Sequence, residues 1–157
     1  YLSWRARAFG CRTQLLESAA AVNDRMPEYC AARAARMLNA QGKAVFGSKI
    51  LALGAAYKQE VADFRESPAV RVIELLREQG ARLSFYDPYL SQYVWKGKTR
   101  LGLPRLTGSA ISEADLVLIL TAHAAVDYSL VQKNARQIFD TKNAMKEIVP
   151  RENITVL

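Results

Sequence analysis

Ile50-Leu51-Ala52-Leu53-Gly54, a further twelve residues, and then Ser67-Pro68-Ala69 running into Val72, Ile73 and Leu76 is the stretch that decides the fold of this chain. Four apolar residues in a row closed by Gly54 read as a short strand buried on both faces. Ser67 before Pro68 supplies a helix N-cap and a first-turn residue with no N–H to lose. Ala69, Val72, Ile73 and Leu76 recur at the i, i+3, i+4, i+7 spacing of an amphipathic helix, and Gly80 stops it. Leu83 to Tyr86 is the next strand, broken by Asp87-Pro88. Strand, helix, strand in that order is the repeating unit of a parallel sheet.

The same alternation continues downstream. Tyr89 to Thr107 is a looser stretch, expected as a mobile surface loop, that carries Tyr93, Trp95, Lys96, Lys98 and Arg100. Ser109 to Ala114 reads as one helical turn, Leu116 to Leu120 as a fully buried strand and Asp127 to Asn134 as a helix. Ile138-Phe139-Asp140 and Ile154 to Leu157 read as two last strands. Upstream, from Leu15 on, Ala19, Val22, Met26, Cys30, Ala34 and Met37 recur at helical steps, with a kink or restart expected near Asn23 to Pro27 because Pro27 cannot donate a backbone hydrogen bond. Gln41-Gly42 closes that segment. The expected architecture is an open three-layer α/β domain of about five parallel strands over residues 43–157, preceded by a helical arm over residues 1–42.

Composition narrows the function classes. The 157 residues are 50% hydrophobic and carry 22 basic against 15 acidic side chains, a net charge of +7, so the chain can bury a core and disorder is excluded. The charge is spread along the whole length, and no patch, arm or groove-reading motif marks a nucleic-acid binder. Mild basicity suits a phosphate ester equally well. The longest strictly aliphatic run, Leu116 to Leu120, is far short of the roughly 20 residues a membrane helix needs, and no charged-then-apolar leader opens the sequence. Two cysteines, Cys11 and Cys30, and a single histidine form neither a metal-ligand cluster nor a disulfide framework, so a reduced, cytoplasmic setting is expected. The opening Tyr1-Leu2-Ser3-Trp4 starts on residues that belong inside an element and reads as part of something longer.

In open α/β sheets ligands bind beyond the carboxyl ends of the strands, which points to Gly54–Ser67, Asp87–Tyr89 and Thr121–His123. The first of these loops lacks both the G-x-G-x-x-G and the Gly-Lys-Ser phosphate motifs. It is nevertheless longer than a routine strand-to-helix connection. Lys58 and Arg65 lie near a helix N-terminus that favours anions, and Tyr57 is placed to flank a base or sugar. The competing structural explanation pairs Arg65 with Asp63 or Glu66 and leaves Lys58 solvated. His123 reads as an ordinary loop histidine and Asp87 as the end of a strand.

The string from Gly54 to Ala69, read as G-x-x-Y-K-x-x-x-x-D-x-R-E-S-P-A, with Tyr86-Asp87-Pro88-Tyr89, Thr121-Ala122-His123 and Asp127-Tyr128, resembles the C-terminal domain of the UDP-glucose/GDP-mannose dehydrogenase family. Tyr1 to Ala6 and Val22 to Pro27 resemble the stretch that joins that domain to the catalytic region. The resemblance is strongest to the bacterial UDP-N-acetylhexosamine 6-dehydrogenases. It implies a Rossmann-like fold and an NAD-dependent enzyme that oxidises the C6 alcohol of a nucleotide sugar to a carboxylate through a cysteine thiohemiacetal and thioester. By position it implies that Tyr57, Lys58 and Lys142 contact the UDP-sugar, that Arg65 reaches the NAD phosphates across an interdomain cleft, and that the N-terminal helical segment makes a homodimer. The family's catalytic Cys and its NAD-binding domain would precede Tyr1, so the chain alone is expected to be inactive. Two positions depart from the pattern: Ala122 stands where Asp is common, and Lys142 where Arg is usual, which loses a planar fork for phosphate. A free-standing UDP-sugar-binding or dimerisation module, and a basic scaffold with no ligand, are the alternatives.

Overall fold

A computed structural model describes residues 2–157; Tyr1, the first residue of the joining stretch, lies outside the described residues. Seven strands and six helices are distinguished among them: α1 (Leu2–Ala8), α2 (Gln14–Asp24), α3 (Met26–Ala40), β1 (Lys49–Leu53), α4 (Pro68–Glu78), β2 (Arg82–Tyr86), β3 (Gln92–Trp95), β4 (Lys98–Leu101), α5 (Gly108–Ser112), β5 (Leu116–Ile119), α6 (Tyr128–Asn134), β6 (Ile138–Asp140) and β7 (Ile154–Val156). Five strands form one sheet in the order β2-β1-β5-β6-β7, and every pair in it is parallel.

Alternation along β1 assigns its side chains to two cores. Ile50 and Ala52 join Cys30, Ala34 and Leu38 of α3 and Val72, Ile73 and Leu76 of α4 on one face. Leu51 and Leu53 join Ile111 of α5 and Val131 of α6 on the other. The expected three-layer, Rossmann-like arrangement is therefore present. Ser67 caps α4 by accepting from the Val70 amide at 3.5 Å, and Gly80 takes a φ of +88° just beyond its end.

The helical arm restarts where Pro27 demanded it, with α2 ending at Asp24 and α3 beginning at Met26. The apolar stripe divides at that break. Cys30, Ala34 and Met37 are buried by the sheet and α4, whereas α2 buries no residue and leaves Leu15 and Val22 exposed.

Two local expectations are corrected. The stretch taken as a mobile loop holds an antiparallel hairpin, β3 with β4, turned by Lys96 and Gly97, both at positive φ as a tight primed turn requires. Tyr93, grouped with the surface aromatics, is wholly buried against Phe85, and its hydroxyl donates to the buried Glu74 carboxylate at 2.6 Å. The second correction is β2, which alternates exposed Arg82 and Ser84 with buried Leu83 and Phe85, because it is an edge strand whose second face α5 covers only in part.

Candidate functional site

The strand order reverses direction at β1 and β5: the chain leaves β1 to build β2 on one side and later returns to build β5, β6 and β7 on the other. A crevice opens beyond the carboxyl ends of two strands that diverge in this way. It is lined here by Tyr57, Lys58 and Gln59 from the loop after β1, Thr121 and Ala122 after β5, and Lys142 after β6, around a volume of about 430 Å³. The structure thus brings Tyr57, Lys58 and Lys142 together.

Gly54 makes the close approach possible. Its φ is +83°, and a Cβ there would lie 2.6 Å from Thr121 Cβ and 2.7 Å from Thr121 N. Thr121 Oγ1 then donates to the Ala56 carbonyl at 2.7 Å, tying the two loops across the crevice. The loop after β1 closes on itself through the Tyr57 amide, which donates to the Asp63 carbonyl at 2.7 Å.

Beneath that loop lies a fully buried carboxylate. Asp87 Oδ2 accepts from the amides of Ala55 and Ala56 at 2.8 and 2.9 Å and stands 3.1 Å from His123 Nε2. Its Oδ1 accepts from the amides of Tyr89 and Leu90 at 2.9 and 3.1 Å. Five donors saturate the carboxylate, so it has no capacity left for a ribose hydroxyl. His123, also fully buried, accepts the Glu60 amide on Nδ1 at 3.0 Å. That bond places the ring proton on Nε2, where it is donated to Asp87. Sequence reasoning took these two residues as ordinary; together they set the height and tilt of the loop that carries Tyr57 and Lys58. The available signal was that both follow the ends of strands neighbouring β1.

Lys142 is displayed by a comparable device. Asp140, fully buried at the end of β6, accepts from the amides of Lys142 and Ala144 on Oδ1 at 3.0 and 3.1 Å and from Met145 on Oδ2 at 2.9 Å. Asn143 adopts a φ of +51° in this turn, and the Lys142 side chain is exposed. Burial and then the Asp140 charge push the nearby Tyr128 hydroxyl up to about 12, so it is a neutral phenol at ordinary pH. The Lys58 ammonium sits 5.9 Å from the centroid of the Tyr57 ring, which is half exposed.

Arg65 lies elsewhere. Its guanidinium donates from Nε and Nη2 to the two oxygens of Asp63 at 3.0 and 2.8 Å, the pairing that the structural explanation required. This fork holds the Asp63 carboxyl at about 2, below the usual carboxylate range. Arg65 borders a separate cleft of about 340 Å³ with Phe64, the start of α4, Arg71 and Trp95. Among the described residues no cluster of His, Cys, Asp and Glu is arranged to hold a metal ion. No helix among them is long and apolar enough to cross a membrane.

The sheet order, the two covering layers and a cleft at the divergence of β1 and β5 define a doubly wound α/β domain of the Rossmann-like class. The profile of the UDP-glucose/GDP-mannose dehydrogenase family, UDP binding domain, matches residues 51–147, and the chain belongs to that family. It is 31% identical over 85% of its length to a UDP-N-acetyl-D-mannosamine dehydrogenase of Methanococcus maripaludis, covering 31% of that protein. It is 35% identical over 69% of its length to a UDP-glucose 6-dehydrogenase of Rhizobium meliloti, covering 24% of it. Among solved structures, the UDP-D-ManNAc dehydrogenase from Pyrococcus horikoshii superposes with a TM-score of 0.74 at 27% identity, over 92% of this chain and 33% of that one. The chain therefore spans about a third or less of the length of the relatives it matches.

Proposed function

We propose that this chain is the nucleotide-sugar-binding part of an NAD-dependent UDP-sugar 6-dehydrogenase acting in the cytoplasm. Residues 43–157 form its UDP-sugar-binding domain. Residues 1–42 form the helical connecting and dimerisation segment, with α3 doubling as a layer of the α/β core. The observation that carries the reading is the meeting of Tyr57, Lys58 and Lys142 on one cleft whose lining includes no carboxylate. A diphosphate is a concentrated negative charge, and two ammonium groups displayed from separate, internally tied loops are suited to span it. The half-exposed Tyr57 ring offers a flat face to a base or sugar. The cleft volume falls in the range of small-molecule sites.

Oxidation of an alcohol to a carboxylate by this class needs an activated thiol and a hydride acceptor. Cys30 is buried, and burial pushes its thiol up, away from the nucleophilic thiolate. Cys11 is exposed in the turn between α1 and α2, far in sequence from the cleft loops, and neither cysteine lines the cleft. The reading thus gives this chain binding and leaves the nucleophile to another segment of the enzyme. NAD, which would accept the hydride, finds a partial fit. Arg65 is 82% exposed at the side chain, and swinging from Asp63 it would offer one guanidinium to a cofactor phosphate. No glycine-rich strand-to-helix turn is present to receive the rest of a dinucleotide. Exposed Leu2, Trp4, Phe9, Leu15 and Val22 support the arm as a dimer surface.

Calorimetric titration of the chain with UDP and with UDP-N-acetylglucosamine tests the reading. Saturable binding that Lys58→Ala weakens by tenfold or more is expected. An unchanged affinity in Lys58→Ala, or no binding of either ligand at millimolar concentration, would overturn it for this chain.

A further inference from the structure

A cavity of about 580 Å³ lies at the other end of the sheet from the nucleotide cleft. Lys49 and Arg82 are the first residues of β1 and β2 and stand opposite each other in the parallel register. Both point to the face that α5 covers only in part, on the same side as Leu51 and Ser84. Arg77, from the last turn of α4, adds a third cation to the lining, and Thr107, Ser109 and Glu113 form the facing wall. Ile50, Leu83 and Leu103 contribute apolar lining.

The charges there are poorly balanced. Glu113 is the only acidic residue on the lining, and its contact with Lys49 is long, at 3.5 Å, between two well-exposed groups. Arg77 is occupied, donating to the Leu83 carbonyl at 3.0 Å and standing 3.4 Å from Glu74. Among the described residues the Arg82 guanidinium and the Ser84 hydroxyl have no partner. Like charges held side by side on neighbouring strands repel, and an anion between them would turn that cost into attraction.

We propose that this trough is a second binding site, for a phosphate-bearing small molecule of about mononucleotide size, with Arg82 and Lys49 gripping the phosphate and Ser84 donating to it. The apolar lining takes the rest of the molecule. The site is separate from the cleft at Lys58 and Lys142 and shares no residue with it.

Titration with inorganic pyrophosphate, followed residue by residue in amide NMR spectra, tests the proposal. Saturable shifts at Ser84, Ser109 and Ala110 are expected, weakened at least tenfold by Arg82→Ser and unaffected by Lys58→Ala. Lys49→Gln serves as a second variant and should weaken the same shifts. Shifts confined to Tyr57, Lys58 and Lys142, shifts reproduced by sodium chloride at equal ionic strength, or an affinity unchanged from the parent in both the Arg82 and Lys49 variants would each overturn it.

Discussion

Replacing Asp87 by Asn changes one atom and removes hydrogen bonds that geometry cannot restore. The carboxylate accepts on both oxygens: three donors, from Ala55, Ala56 and His123, meet Oδ2, and two, from Tyr89 and Leu90, meet Oδ1. An amide accepts only on its oxygen. In its better orientation the Asn oxygen keeps the three and turns its NH2 on the Tyr89 and Leu90 amides. Leaving a buried donor unsatisfied costs about 1–3 kcal/mol, so the pair costs about 2–6 kcal/mol. For a domain of this length that is a fall in Tm of roughly 4–24 °C. Asp87→Ala strands all five donors and should leave little folded protein. Urea denaturation of the Asn variant, with hydrogen exchange at residues 55, 56, 89 and 90, measures the effect. A variant within about 0.5 kcal/mol of the parent would show that the carboxylate is not the tie described, since that is the scale of surface substitutions.

Gly54→Ala should destabilise by roughly 3 kcal/mol or more, because its Cβ meets the Thr121 backbone at a positive φ; soluble yield and Tm report it. Asp63 should titrate near 2 by carboxyl NMR, and should rise toward its ordinary value in Arg65→Ala without reaching it, because the amide of residue 65 still donates to the carboxylate. Because the folded value is depressed, the stabilising pair is intact above about pH 4, the unfolded range. It is lost as pH falls through about 2. Lys142→Arg should tighten UDP binding about fivefold by calorimetry, since a planar fork can hold one phosphate by two bonds. Tyr93→Phe should cost about 1–3 kcal/mol in urea denaturation, because Glu74 loses a 2.6 Å donor while remaining buried.

The parallel sheet was legible because β1 and β5 are short apolar runs and because Ser67-Pro68 and Gly80 punctuate α4 by local chemistry. The hairpin was not, since Lys96-Gly97 is a weak turn signal beside Asn-Gly and the burial of Tyr93 depends on Glu74, 19 residues earlier. In the site, Tyr57, Lys58 and Lys142 were named from a motif, and their meeting follows from a strand order that local patterns do not encode. Arg65, expected to serve a different ligand from these three, does border a separate cleft. The roles of Asp87 and His123 were hidden because, besides each other, they hold backbone amides 32 and 63 residues away, which carry no side-chain signature.

The tie between Asp87 and the amides of Ala55 and Ala56 also fixes an order of events. The loop after β1 has its acceptor only once β2 has paired in register alongside β1, and His123 reaches Glu60 only once β5 has paired on the other side. Nascent chain that has produced Gly54 to Ser67 thus lacks the means to shape it until about 60 more residues have emerged and docked. Ligand-binding competence should accordingly appear late in refolding, after the helical signal of α4, and a stopped-flow trace of a cleft-bound fluorescent nucleotide would lag behind far-ultraviolet circular dichroism.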